Sequence, residues 1–319
     1  MLLLPLADYT SPMSQVSPST AGSLPVEALS TERAGIVLMA ASAITWSFGG
    51  AIARFLATND SWAILCLRSL WGAAFLLLFL LWRDGPRGTV RLFATMGYPG
   101  LAVAICFATA SGAFIVALAH TTVANILLIQ AGTPLIAALI GRLAFKEKVA
   151  PTTWAAIGAV MLGVAVMVSD SLSGAGSPVG NALAVLMAVM FALAIIVTRR
   201  SAGVRMTPAC CLGCLINAAV SLPLAASLSV SATDMGLLFA FGALNLGLGQ
   251  AFFVTGARLL PAPIAALIGT LEPVLAPIWV WLVHTEVPSQ RTLIGGAIVM
   301  AALFSHILWE AFGRRGETG

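Results

Sequence analysis

The chain has 319 residues, 60% of them hydrophobic and only 9% charged, with a mean hydropathy of +1.00. Soluble domains carry about 25% charged residues, so a water-facing enzyme of this length is excluded, as is a charge-rich disordered chain. The net charge of +4 does not point to nucleic acid. Lys and Arg stand in short clusters between apolar runs, without interleaved aromatics, where they act as topology signals.

Residues 1–32 are rich in Ser, Thr and Pro (Ser11-Pro12, Ser17-Pro18-Ser19-Thr20) and lack helical periodicity. This predicts a flexible cytoplasmic N-terminal tail. Leu2-Leu3-Leu4-Pro5-Leu6 has no basic flank and is too short for a signal peptide. From residue 34 onward come ten runs, each near the roughly 20 apolar residues that cross a hydrocarbon core. They cover about 34–56, 62–82, 95–118, 122–142, 151–169, 179–198, 207–228, 234–256, 261–283 and 290–311. The stretch from Leu92 to Gly141 holds no charge, and Gly112, His120-Thr121-Thr122 and Pro134 divide it into two helices. The runs are continuously apolar rather than alternating, which excludes a membrane β-barrel.

Basic residues set the orientation. With the N-terminus in the cytoplasm, Arg83, Arg87, Arg91, Arg142, Lys146, Lys148, Arg199, Arg200, Arg205 and Arg258 fall in inner connections. Arg33, Arg314 and Arg315 lie in the tails, and 312–319 is the C-terminal tail. Only Arg54, Arg68 and Arg291 of the 16 basic residues lie toward the other side, whose connections hold Asp60, Asp170 and Asp234. A multi-pass protein of a bacterial-type inner membrane is expected, with both termini cytoplasmic.

The two halves repeat one another. At an offset of 139, Leu128/Leu267, Ile129/Ile268, Pro134/Pro273, Ala137/Ala276, Leu143/Leu282 and Glu147/Glu286 coincide. The Pro and Glu pairs carry most weight, being rare in such runs. At 145, Gly35, Trp46 and Arg54 meet Gly180, Phe191 and Arg199. The fold expected is therefore an all-α integral membrane protein of ten transmembrane helices, built as two inverted five-helix repeats. These are 34–169 and 179–311, joined by a hinge at 170–178. An odd number of spans per repeat inverts the second half, as in transporters whose substrate site lies where the repeats meet.

Two segments resemble the ten-span EamA family of the drug/metabolite transporter superfamily. One runs Ala117-Leu118-Ala119-His120-Thr121-Thr122-Val123-Ala124, then Pro134-Leu135, Glu147, Gly158 and Gly163. The other runs Pro261-Ala262-Pro263-Ile264-Ala265-Ala266-Leu267, then Leu271-Glu272-Pro273 and Glu286. The resemblance covers about residues 34–311 and departs where Ala297 stands opposite Gly158, although Gly295 and Gly296 are adjacent. Arg68 fits a position that is often Arg in this family. The resemblance implies transport, often outward, of amino acids, nucleotides, cofactors or toxic organic compounds.

Glu272 is the sharpest site candidate, because a carboxylate in mid-span is costly and usually functional. It can bind a substrate ammonium group or exchange a proton as substrate leaves. Pro273 beside it withholds a backbone donor and frees a carbonyl one turn earlier; alternatively, Glu272 only fixes packing. Its repeat partner is Thr133, beside Pro134. Arg68 either counters a carboxylate or anionic substrate, or snorkels to the outer headgroups. Asn125 and Gln130, with Asn245 and Gln250, line a cavity with Trp46 or serve as interhelical glue, and Asn217 is a further buried amide. Glu147 and Glu286 close their spans before turns marked by Pro151 and Pro288, facing the positive end of the next helix.

Trp62, Trp82, Trp154 and Trp309 read as interfacial anchors, while Trp279 and Trp281 lie deeper. Gly158, Gly163, Gly242, Gly247 and Gly249 read as close-packing positions. Cys66, Cys106, Cys210, Cys211 and Cys214 lie in apolar runs. The Cys211/Cys214 spacing lacks a second pair or His at zinc distance, so the cysteines read as helix packing.

No cofactor or metal is expected, and no phosphate loop G-x-x-x-x-G-K-[ST] is present for ATP. The partners expected are a small-molecule substrate and the bilayer, not nucleic acid. A monomer suffices to enclose the site, with a dimer left open. The function expected is export of a small amphipathic metabolite, an aromatic or other amino acid or a related compound, by alternating access, with proton coupling through Glu272. An uncoupled facilitator is the alternative. A lipid-modifying membrane enzyme is a third reading, disfavoured because His120, His284 and His306 lie on separate elements and no H-E-x-x-H occurs.

Overall fold

The computed structural model describes residues 26–58, 60–121, 126, 129–146, 149–169, 177–284 and 289–316, and among these there is no strand. The helices are α1 (Val26–Ser47), α2 (Gly49–Ala53), α3 (Ser61–Thr95), α4 (Gly97–Leu118), α5 (Thr133–Phe145), α6 (Pro151–Val168) and α7 (Pro178–Arg200). They continue with α8 (Thr207–Ser221), α9 (Ala232–Phe239), α10 (Gly249–Ala257), α11 (Ala262–Gly269), α12 (Leu271–His284) and α13 (Gln290–Gly316). Among the described residues, seven helical stretches are long and apolar enough to cross a bilayer, and three shorter apolar helices lie at Thr133–Ala144, Pro151–Val166 and Leu293–His306. The chain is thus an all-α, multi-pass membrane protein.

Several boundaries differ from the sequence reading. The first helix begins at Val26, so the predicted tail is helical from residue 26. The second run ends close to where it is read: helical backbone stops at Gly85, whose φ of 69° suits a residue without a Cβ, and a further helical segment of α3 runs on to Thr95. Pro86 follows, at a point where it has no helical bond to break. The run at 261–283 is two helices, broken at Thr270. α5 likewise starts in mid-run, at Thr133 behind Gly132. Both breaks carry Pro in the first turn of the new helix, where its missing N–H costs nothing. Pro273 therefore starts a helix, rather than freeing a carbonyl inside a continuous one. Between α9 and α10 the run at 234–256 widens into a π-helix, Ala240–Leu248.

Helix starts follow ordinary capping chemistry. Asp60 accepts from the backbone N–H of Trp62 (3.0 Å) and Ala63 (3.3 Å), Ser177 from Val179, and Ser231 from Asp234. In the bundle α3 lies against α8 and the π segment, and α4 against α7 and α8. α1 lies against α10, α11 and α12; α5 against α7 and α11; α6 against α13.

Small residues bring backbones together, as in other helical membrane proteins. A Cβ on Gly163 would meet Val299 Cγ2 at 2.8 Å and Gly295 O at 2.9 Å. One on Gly242 would strike the Arg68 carbonyl, and one on Gly247 would meet Phe75 at 2.9 Å. Gly158 is the exception, since a Cβ there meets nothing; it does not mediate a helix contact.

α3 ties down both ends of the bundle. From Ser61 to Asp84 it rises roughly 36 Å at about 1.5 Å per residue, more than the ~30 Å hydrocarbon core. At its start the Asp60 carboxylate accepts from Ala226 N–H (2.8 Å), and Asp234 accepts from Ala57 N–H (3.0 Å). At the other end Arg205 makes two parallel bonds to Asp84, at 2.6 and 3.0 Å. Arg199 and Arg258 join this basic end through the carbonyls of Arg258 and Ala202.

Candidate functional site

The breaks and the π segment converge on one region. α1 stops at Ser47 and α2 restarts at Gly49. The Asn245 amide on the π segment donates to the carbonyls of Thr45 (2.7 Å) and Trp46 (3.1 Å), satisfying groups that the end of α1 leaves open. Ser42 Oγ donates to Gly249 O, and Trp279 Nε1 donates to Ser47 Oγ at 2.7 Å. Trp279 also stacks on Phe48, with ring centroids 4.2 Å apart.

Trp46 is thereby fixed in an aromatic box. Its ring meets Phe191 of α7 at 5.9 Å, edge-on, and Phe253 of α10 at 5.2 Å. Phe107 of α4 closes the box at 5.9 Å from Phe191 and 5.6 Å from Phe253. The indole lies directly over Gly249, where a Cβ would collide with it. Its Nε1 is buried without a hydrogen-bond partner.

The polar part begins one residue beyond Gly249. Gln250 is buried, and its carbonyl oxygen accepts from the Cys214 thiol at 3.5 Å. Cys214 and Glu272 both lie within electrostatic reach of Arg68. Arg68 is only 8% exposed, and its guanidinium lies over the Phe241 ring, 4.2 Å from the centroid. It does not snorkel. Glu272 occupies the first turn of α12, where the helix dipole favours a carboxylate, and accepts a hydrogen bond from the Gln130 side chain. Thr133 Oγ1 donates to the Gln130 carbonyl (2.6 Å), and Thr270 Oγ1 caps the other break on Leu267 O (2.6 Å). Two half-helix starts, a carboxylate, a guanidinium and an aromatic box thus form a connected region. Hydrogen-bonding and aromatic groups of this kind suit an amphipathic molecule that carries charge.

A model of the EamA-like transporter family matches residues 33–169 and again 178–307. The chain belongs to the EamA-like transporter family. It is therefore a transporter of the drug/metabolite transporter superfamily rather than an enzyme. This EamA-like transporter is 27% identical over 279 residues to the pseudopaline exporter CntI of Pseudomonas aeruginosa strain UCBPP-PA14, covering 85% of this chain and 94% of that protein. The pseudopaline exporter CntI of strain PAO1 matches with the same identity and coverage. A protein solved by crystallography shares the fold, with a TM-score of 0.74, 18% identity, and 84% of this chain and 94% of that chain covered.

Among the residues singled out from the EamA-like sequence, Glu272, Gln130, Thr133, Arg68, Gln250 and Trp46 come together. Asn245 spends its amide on the α1 backbone and serves as glue, not as a wall of open polar space. Asn125, Glu147 and Glu286 lie outside the described residues. Asn217 is buried, with its side chain beside Gly112. Trp82 and Trp309 are exposed on the bundle surface, as membrane anchors are. All five cysteines are buried and free.

Sequence reading missed Phe107, Phe191, Phe253, Phe241 and Trp279 as site residues. A signal existed for the box. Trp46 and Phe191 share the 145-residue offset, and Phe107 and Phe253 stand 146 apart, so the box pairs equivalent positions of the two halves.

Proposed function

We propose that the chain is a secondary transporter of ten spans, arranged as two inverted five-helix repeats. It exports a small amphipathic metabolite, an amino acid or a related compound, by alternating access. Seven long and three shorter apolar helices supply the spans. The helix neighbours support the inverted repeat because they come in pairs exchanged by a two-fold operation. α1 on α10 corresponds to α7 on α4, and α1 on α12 to α7 on α5. The couples α3/α8 and α6/α13 correspond to themselves. The repeats are 34–169 and 179–311 about a 170–178 hinge. The basic end of α3 faces the cytoplasm of a bacterial-type inner membrane, with both termini on that side.

The observation that carries the reading is Glu272, at a half-helix start, hydrogen-bonded by Gln130 and within electrostatic reach of Arg68. In transporters of this architecture, broken helices mark the substrate and coupling-ion site. Outward transport and a small metabolite cargo are supported by the likeness to the pseudopaline exporter.

Glu272 carries the coupling proton, exchanging it against substrate. In proteoliposomes Glu272→Gln is expected to insert normally, yet lose flux driven by an imposed pH gradient. Equal pH-driven flux in the variant and the wild type removes the coupling role. Wild-type flux that ignores imposed proton gradients selects the uncoupled facilitator.

A further inference from the structure

Arg68 is a buried cation with unused donors. It is 8% exposed, and both Nε and Nη1 are buried without a hydrogen-bond partner. Its π contact with Phe241 fixes the guanidinium plane and satisfies none of those N–H groups. Among the described residues no carboxylate stands in ion-pair contact with it; Glu272 acts on it only through space. An unsatisfied buried donor costs free energy, more so on a charged group. Retaining two on one guanidinium is best explained by a partner that comes and goes.

Planar guanidinium donors match carboxylates and phosphates, and of the two a carboxylate brings the smaller charge into a buried site. Glu272 offers the complement. It accepts one side-chain hydrogen bond, from Gln130, and an ionised carboxylate has about four acceptor sites. A cation and an anion held apart on α3 and α12, each acting on the other through space, present a dipole to whatever enters. The aromatic box adjoins them through Gln250 and Cys214.

Resting on the transporter reading, we infer that Arg68 binds the carboxylate of a zwitterionic amino-acid-type substrate whose ammonium group meets Glu272. The side chain of such a substrate is received by Trp46, Phe191 and Phe253. Arg68 is then a specificity-determining residue, selecting zwitterions over the lipophilic cations that Glu272 alone would accept.

The test uses the full chain in lipid nanodiscs at pH 7, with three probes of one shape. These are L-phenylalanine, L-phenylalaninamide (no carboxylate) and 3-phenylpropionate (no ammonium). Wild type is expected to bind phenylalanine roughly tenfold or more tighter than either analogue, the scale of a lost charged hydrogen bond. Arg68→Gln is expected to bind phenylalanine and its amide alike. Arg68→Lys is expected to recover part of the preference. The inference is overturned if wild type binds the amide as tightly as phenylalanine, if it binds none of the three, or if Arg68→Gln keeps the wild-type preference. Should Arg68→Gln fail to fold, the three-probe comparison on wild type decides alone. Proteoliposome flux separates the two readings. Transport of tetraphenylphosphonium without selection for phenylalanine overturns the zwitterion inference and leaves the transporter standing, whereas no flux of any probe overturns both.

Discussion

Asn245 shows how one side chain links a helix break to a site. Its amide bridges the carbonyls of Thr45 and Trp46, and those bonds hold the indole against Phe253 and over Gly249. Alanine there leaves carbonyls at the end of α1 unpaired in a buried setting, a loss of about 1–3 kcal/mol. Asn245→Ala is therefore expected to melt several degrees lower in detergent and to weaken substrate binding, because Trp46 loses its anchor. Asn245→Asp, which keeps the shape but cannot donate, is expected to behave as badly. A variant with wild-type melting and binding removes this role. The sequence could flag Asn245 only as a polar residue in lipid, with cavity and glue readings both open. Side-chain identity does not reveal that α1 ends at Ser47, and so does not reveal which carbonyls need a donor.

Helix breaks and helix contacts differ in how far a linear sequence exposes them. The apolar runs were legible because about 20 residues of hydrocarbon-compatible side chains have few other uses. The Pro134/Pro273 pair announced something at both positions, but Pro fits equally in a kinked helix and at the start of a new one. Only the caps of Thr133 and Thr270 distinguish the two. The π segment left no trace in composition, although Gly242 within it approaches the Arg68 carbonyl too closely for a Cβ. Glycine roles follow the same logic, and one sharp comparison tests them. Gly163→Ala drives a Cβ onto the Gly295 carbonyl at 2.9 Å, so α6 and α13 must part, at a cost of about 1–3 kcal/mol. Gly158→Ala meets nothing and gains up to about 1 kcal/mol of helix propensity. Thermal melts of the two variants should move in opposite directions. Equal shifts would mean that the α6–α13 contact does not govern the stability of this pair. At the end of α3, hydrogen bonds from Arg205, aided by the charges of Arg205 and Arg83, hold the Asp84 carboxyl below its ordinary value. A lowered carboxylate stabilises the fold above its unfolded value, about 3.9, and that contribution is lost as pH falls through the lowered one. The pair is partly exposed, so it is worth no more than about 1 kcal/mol. Asp84→Asn should thus melt below wild type at pH 7 and pH 5 and converge with it as pH falls through that lowered value. A gap that persists in acid shows that the loss comes from something other than this ion pair.

For the molecule as a whole, the question is whether its two halves enter the membrane from opposite sides. Two ties connect them: Asp60 and Asp234 with the backbone of Ala226 and Ala57 at one end of α3, and Asp84 with Arg205 at the other. Alternating access requires one tie to open while the other holds, which is possible only if they lie at opposite faces. The connection after α3's first segment and the connection between α8 and α9 occupy equivalent places in the two repeats. Parallel repeats would put both on one face, whereas inverted repeats put them on opposite faces. Arg87 and Ser229 are exposed in these two connections. The native cysteines are all buried, so background labelling is low. In intact cells, Ser229→Cys should react with a membrane-impermeant maleimide and Arg87→Cys should not. In inside-out vesicles the reactivities should exchange. Labelling of both positions from one side would rule out inverted repeats and, with them, a site shared between the halves at mid-membrane.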